Sequence, residues 1–440
     1  MLTLLRATLL QMRATLPAWV GGQTNLVAPE VGPKARCAVP VVQGGAGYHP
    51  YVRTPLRLLA VTILAASLLA ACSGAEKADE TSSDGSPTTA ADGAEPASDS
   101  SSDSDGEPGA TTTTEAPRGP LGNGEAVTLA FAGDASFENL EQAVVANPQG
   151  LLSAIAPVLG AADVSVVNLE AALGSGGERA AKQFAFQVPE QALDALRAAG
   201  TDAVTMANNH GMDYGSGGLA DTLRIKAETG FPIIGIGADD AEAYAPFITE
   251  VRGQRIGVIA ANDIFDSNLV AAWTAGPGHP GIASAEENHQ DQLAAQVRAT
   301  REQVDTLAVY LHYGTEKDTC PHGRQKELVE LLIDAGADIV VGSHAHRLQG
   351  MGFKGDQFVA YGLSNFVFKA PSEPGRRSGV VTVTATGRRI DGYEWTPATI
   401  QNLVPVPLSG AAADAASAAM GELQACAGLT PTATGPGVGS

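Results

Sequence analysis

Positive charge is scarce in this chain of 440 residues: 27 Lys and Arg stand against 48 Asp and Glu, for a net charge of −21. The deficit persists in residues 119–440, which carry −17. Proteins that bind phosphate backbones need clustered Lys and Arg, so nucleic acid is excluded as a partner. An anionic polymer is disfavoured less, because a bound metal ion would invert the local field. The plainest role of such a surface is solubility. Cysteine is also sparse, with four residues and no CxxC pair, which argues against a thiolate zinc site or a redox motif. There is no GxSxG elbow, no HExxH and no Walker phosphate loop. Gly276-Pro277-Gly278-His279-Pro280-Gly281 spells GxGxxG, but its prolines fall where a helix should start. It reads as a loop, with His279 in solvent. His289 and His322 likewise read as surface positions.

Long apolar runs are missing as well. Leu58 to Ala71 spans about 14 residues, against the roughly 20 that a membrane-crossing helix needs. Arg53 and Arg57 precede it, and it ends in Leu69-Ala70-Ala71-Cys72. A basic flank, a short apolar stretch and small residues before a cut describe an export leader over residues 52–72. Leu-Ala-Ala-Cys resembles a bacterial lipobox, which implies a lipid on Cys72 and a membrane attachment. Residues 73–124 are then a disordered acidic linker: Ser73 to Arg118 contains no aromatic residue and cannot bury enough apolar surface to fold. Residues 1–51 sit upstream of the leader. They fit a start site assigned too early, with initiation near Val52; the alternative is a real extension with an amphipathic helix from Met1 to Trp19. Within the exported part, Cys320 and Cys426 are either a disulfide or two free thiols, and an oxidising compartment permits the bond.

Residues 125–440 form the folded domain. From residue 127 onward short β-branched runs alternate with helical stretches, which predicts an α/β fold. Strands are expected at Val127 to Ala132, Val164 to Val167, Ala203 to Met206, Ile233 to Ile236, Arg255 to Ala260, Thr306 to Leu311 and Ile339 to Val341. Helices are expected at Leu140 to Leu159, Pro189 to Ala199, Gly218 to Thr229, Glu286 to Thr300 and Gln325 to Ala335. Phe358 to Tyr361 and Val380 to Ala385 follow as strands with few helices between them, suggesting an antiparallel part.

In α/β sheets chemistry gathers at the carboxyl ends of strands. Here those ends carry Asp134, Glu170, Asn209, His210, His312, His344 and His346, including four of the chain's eight histidines. Imidazole and carboxylate together suit zinc, manganese or iron. In an extended Gly-Ser-His-Ala-His segment, His344 and His346 would point to the same side. Any one of these residues alone is more simply a cap, a turn or a hydrogen-bonded surface group. The metal reading rests on their convergence at one edge.

The ordered blocks Phe131-Ala132-Gly133-Asp134, Val167-Asn168-Leu169-Glu170, Ala207-Asn208-Asn209-His210 with Asp213 and Gly215, His312-Tyr313-Gly314-Thr315-Glu316, Gly336-Ala337-Asp338, Gly342-Ser343-His344-Ala345-His346 and Tyr361-Gly362-Leu363-Ser364-Asn365-Phe366 resemble the CapA-type poly-γ-glutamate capsule-biosynthesis family. The resemblance covers nearly all of residues 127–370. It implies a metallophosphatase-type fold, a four-layer α/β/β/α sandwich. It implies metal ligation by Asp134, Glu170, Asn209, His312, His344 and His346, and a leaving-group role for His210. Glu316 would orient His312 or a water. The first-block pattern Asp-x-His reads Asp134-Ala135-Ser136 here, so one expected imidazole is absent and the number of metal ions is open. The implied partners are a cell-surface polymer such as poly-γ-glutamate and a membrane synthase complex. Three functions follow as expectations: a metal-dependent hydrolase in polymer metabolism, a non-catalytic polymer-binding or synthase-supporting lipoprotein, or an extracellular phosphoesterase.

Overall fold

The computed structural model describes residues 122–434. Residues 1–51, the leader at 52–72 with its Cys72, and nearly all of the 73–124 linker lie outside the described residues. Among the described residues no helix is long and apolar enough to cross a membrane.

Two sheets carry the domain. The first has eight strands. Seven run in the order Val404–Pro407, Arg389–Gln401, Arg377–Thr386, Val127–Ala135, Val164–Leu169, Ala203–Thr205 and Ile233–Ile234. Asn365–Val367 adds in parallel to the end of Val127–Ala135. The second has six: Met351–Lys354, Gln357–Ala360, Ile339–His344, Thr306–Tyr313, Gln254–Asn262 and Phe247–Val251. Helices separate most of the parallel neighbours, but Ile339–His344 and Gln357–Ala360 are parallel with only strand Met351–Lys354 between them; the late hairpin of Arg377–Thr386 and Arg389–Gln401 is antiparallel, as expected.

The layers follow from side-chain alternation along strands. Val258, Ala308, Tyr310 and Val341 of the second sheet enter the core that holds Val127, Leu129 and Phe131 of the first. Their neighbours Ile259, Val309, Leu311 and Val340 enter a separate core with Leu293, Val297, Leu328 and Leu332. Those last four belong to helices Gln290–Arg301 and Gly323–Asp334. Val144, Leu193 and Leu196, from helices Glu141–Ala146 and Gln191–Ala198, join the core of the first sheet. The result is the expected four-layer α/β/β/α sandwich. Tyr310 Oη donates to Ala132 O at 2.8 Å, a buried hydrogen bond joining the two sheets.

The predicted helix from Leu140 to Leu159 is instead three short ones, Glu141–Ala146, Pro148–Leu151 and Ala156–Leu159. Pro148 cannot continue a helix, and the residue before a proline is pushed out of the α region. Asn147 obeys, with φ −152° and ψ 68°, and its side chain accepts from Gly150 N to start the next turn. The region after residue 408 carries a helix, Ala411–Ala427. Cys426 in that helix is bonded to Cys320, with Cα atoms 5.7 Å apart. His322 is not a plain surface residue. It is the N-cap of Gly323–Asp334 and shares a capping box with Gln325, which satisfies N–H groups the helix itself leaves unpaired.

Candidate metal centre

The carboxyl ends of the central strands meet in the seam between the sheets. Val127–Ala135 delivers Asp134 through a close backbone approach. A Cβ on Gly133 would lie 1.9 Å from Ser364 O, so only glycine fits, and the next residue, Asp134, donates its N–H to that same carbonyl at 2.9 Å. The parallel neighbour Val164–Leu169 ends at Glu170. The turn after Ala203–Thr205 supplies Asn208, Asn209 and His210. From the second sheet, Thr306–Tyr313 supplies His312, and the end of Ile339–His344 supplies His344 and His346.

These residues converge. Asp134, Glu170 and His312 are fully buried, and His344 is 5% exposed. His312 Nε2 lies 2.9 Å from Asn209 Oδ1, 3.1 Å from His344 Nδ1 and 3.3 Å from Glu170 Oε1. His346 Nδ1 lies 2.8 Å from Asn365 Oδ1 and 3.4 Å from Asp134 Oδ2. One ligand atom each from Glu170, His344 and His346 fits within 4.8 Å of the others. His344 and His346 do not share an extended segment: their φ angles are 90° and 49°. Non-glycine residues rarely adopt this left-handed region, and such strain clusters at functional sites. The tight turn, rather than strand alternation, brings both rings to the cluster.

Glu170 provides the test of whether a metal fits. Both of its carboxylate oxygens are buried without a hydrogen-bond partner. The 3.3 Å approach of the neutral His312 Nε2 lies outside hydrogen-bond geometry. An uncompensated buried carboxylate is costly, so it takes up either a proton or a cation. Burial, then the charge of Asp134, pushes the Glu170 carboxyl up to about 8. Burial opposes charge on His346 as well, but Glu170 and Asp134 carry it up to about 9. Burial lowers His312 to about 3, and burial together with the neighbouring imidazoles takes His344 well below its usual value. Asp134 is the reverse case. Burial would raise it, yet His346, His312 and Asn168 hold it below the usual carboxylate range. Two neutral imidazoles, an ionised carboxylate and an unpartnered one form a donor set suited to a divalent transition ion. The residues fit the group.

Around this set lie residues that strand ends alone do not single out. Asn168 Nδ2 donates to Asp134 Oδ1 at 2.8 Å and lies 3.2 Å from His312 Nδ1. Ser343 Oγ is 3.1 Å from the same Nδ1. Asn208 Nδ2 donates to Asn168 Oδ1 and to Leu169 O, both at 2.9 Å. These partners orient the ligands, as outer contacts in metal sites do. All of them fall inside the family-like sequence blocks, so chain position was a usable signal. Glu316 does not orient His312. It is exposed, and His312 is oriented by Ser343 and Asn168. Glu316 contributes only its charge, one of the influences that raise His346. Ser136 makes no ligand contact: its Oγ accepts from Glu138 N at 3.3 Å in a local turn.

His210 sits beside the cluster. Its Nδ1 is 2.6 Å from Asp213 Oδ2, and Phe186 packs on its ring at a centroid distance of 4.5 Å. Nδ1 is thus occupied and Nε2 is left free.

With this geometry in view, comparison with known proteins is specific. Residues 128–370 match the family described as bacterial capsule synthesis protein PGA_cap. The chain belongs to the PGA_cap family. The PGA biosynthesis protein CapA of Bacillus subtilis is 25% identical over 299 residues, covering 67% of this chain and 77% of that protein. The capsule biosynthesis protein CapA of Bacillus anthracis is 28% identical over 238 residues, covering 53% of this chain and 56% of its own. Among solved structures, the NAD nucleotidase of Haemophilus influenzae aligns at 13% identity with a TM-score of 0.36, covering 71% of this chain and 57% of that one. The PGA_cap match contains every ligand candidate from Asp134 to His346.

Proposed function

We propose that this PGA_cap protein acts in the biosynthesis of poly-γ-glutamate or a related cell-surface polymer, through a divalent-metal site of hydrolase type. The observation that carries the metal is the buried Glu170 carboxylate, unpartnered and grouped with His312, His344 and His346. Manganese, zinc or iron would suit the mixed oxygen and nitrogen donors. Asp134, Glu170, Asn209, His312, His344 and His346 would hold it. Such an ion acidifies water and stabilises charge developing on a substrate oxygen.

The chain's own residues supply the rest. Asp213 fixes the His210 ring by its Nδ1, leaving Nε2 to give a proton to a departing oxygen or nitrogen. Asn168 and Ser343 hold the His312 ring so that Nε2, not Nδ1, faces the site. Burial of Asp134, Glu170, His312 and His344 keeps bulk water from them and strengthens each interaction. The substrate is a phosphoester or a γ-linked amide.

A second reading, a polymer-binding or synthase-supporting protein without catalysis, draws on Ser136. That residue stands where the metallophosphatase pattern has an imidazole, and its hydroxyl turns into a local bond. In either reading we propose export and attachment to the outer face of the membrane through a lipid on Cys72, close to a membrane synthase.

The test is metal content by mass spectrometry on the wild type and on Asp134→Ala, with hydrolysis assays on phosphoesters and poly-γ-glutamate. A wild type with bound transition metal and metal-dependent turnover supports the enzyme. Metal-free protein whose polymer binding survives Asp134→Ala supports the scaffold.

A further inference from the structure

The stretch between the short strand Ala172–Leu173 and Gln187–Val188 contains Lys182, and its side chain is only 6% exposed. A buried ammonium is costly unless it is paired. Lys182 Nζ donates to the backbone carbonyl of Asn209 at 2.5 Å. It lies 2.9 Å from Asp213 Oδ1 and 3.1 Å from Asp266 Oδ2, and 5.1 Å from the centre of the Trp273 ring, within cation–π range.

The placement of these partners is informative. Asn209 is a ligand candidate, and Asp213 holds His210. One cation therefore touches the backbone of the first and the carboxylate that orients the second. Asp213 Oδ1 has no hydrogen bond, so the Lys182 charge at 2.9 Å compensates it. The segment also winds around Asp213 by its backbone. Ala180 N donates to Asp213 O at 2.8 Å, and Phe186 N donates to Asp213 Oδ2 at 2.7 Å. The same segment sets Phe186 against the His210 ring. Lys182 and the two ends of this segment thus hold the Asn209–His210 turn from one side.

We infer that Lys182 is a positioning residue for the Asn209–His210 pair, fixing the Asn209 oxygen for metal and the His210 ring for proton transfer through Asp213. The metal part of this inference rests on the metal-centre reading; the ordering of the turn does not.

The experiment uses the full chain as wild type, Lys182→Met, Lys182→Arg and Asp266→Asn. Calorimetric titration with Mn²⁺ gives affinity, and amide exchange by mass spectrometry gives local order at residues 207–213 and at the reference strand 306–313. In Lys182→Met we expect Mn²⁺ affinity to fall about 10- to 100-fold, the range for lost outer contacts. Exchange should quicken at 207–213 and stay unchanged at 306–313. Lys182→Arg, which keeps the charge, should recover most of both, and Asp266→Asn, which removes only the partly exposed partner, should stay near wild type. Wild-type affinity and exchange in Lys182→Met would overturn the inference, and so would a loss that arginine does not rescue. If wild type binds no Mn²⁺, the metal reading fails and exchange alone decides on Lys182. If Lys182→Met loses structure everywhere, Lys182→Met with Asp213→Asn removes the stranded carboxylate and is compared with Asp213→Asn alone; equal exchange at 207–213 in the two overturns the inference, and faster exchange in the double variant supports it.

Discussion

The two sheets bring different chemistry to one seam. The first contributes oxygen and amide groups: Asp134, Asn168, Glu170, Asn208 and Asn209. The second contributes imidazoles: His312, His344 and His346. Neither half is a site alone. Asp134 is held by Asn168 from its own sheet but also accepts from His344 N of the other at 3.2 Å. Asn209 meets its partner His312 across the seam. Metal affinity should therefore report how well the sheets are packed, as well as which ligands are present.

The strongest challenge to that comparison removes a ligand from each half. Asp134→Ala and His344→Ala should each lower Mn²⁺ affinity by more than about 100-fold, beyond the loss of an outer contact. Titration calorimetry on both variants checks the point; loss in only one would mean that one sheet holds the ion alone.

Backbone packing offers the next contrast. Gly133→Ala places a methyl on the Ser364 carbonyl, which cannot rotate away, and should destabilise the fold by roughly 3 kcal/mol. Gly342→Ala meets the buried Tyr313 ring 2.2 Å from the added Cβ and the Tyr361 carbonyl at 2.9 Å, fewer backbone atoms than Gly133→Ala meets, so roughly 2 kcal/mol is expected. Urea denaturation would rank them, and the reverse order would contradict the view that the first sheet is the less forgiving half.

Protonation cuts across the halves instead. Glu170, raised to about 8, and His346, raised to about 9, hold protons near neutral pH. His312, lowered to about 3, does not. An entering ion must displace those protons. Apparent affinity should rise as pH increases from 6 to about 9, and calorimetry in buffers of different ionisation enthalpy should register proton release at pH 7. Affinity that falls over this interval would contradict the assignment. The smallest effect belongs to the link between the sheets. Tyr310→Phe deletes the bond to Ala132 O and should cost about 1 kcal/mol, the net worth of one hydrogen bond.

Much of this was legible in the chain. Strands ending at Asp134, Glu170, His312 and His344 announced one functional edge, because caps and turns account for one such residue but not for several at the same ends of neighbouring strands. Lys182 gave no such signal. It lies in an irregular stretch, and its meaning comes from Asp213, 31 residues on. Glu316 misleads for a related reason: closeness in sequence to His312 does not bring it to that ring. The C-terminal helix Ala411–Ala427 buries only Met420 and Ala427, so it has no apolar stripe to read; its signal is instead its alanine-rich composition, which favours helix. The break at Pro148, by contrast, is written in the proline itself, although the apolar pattern runs on through it.

The order of the strands has a consequence for how the protein is made. Val127–Ala135, at the middle of the first sheet, pairs on one flank with Val164–Leu169 soon after synthesis begins. Its other flank waits for Arg377–Thr386, where Val127 meets Ala385. Until that later strand arrives, a strand containing Leu129 and Phe131 keeps an open edge, and such edges invite pairing with other chains. Contacts this distant also close slowly. Chains truncated before residue 377 should aggregate under conditions in which the full domain does not.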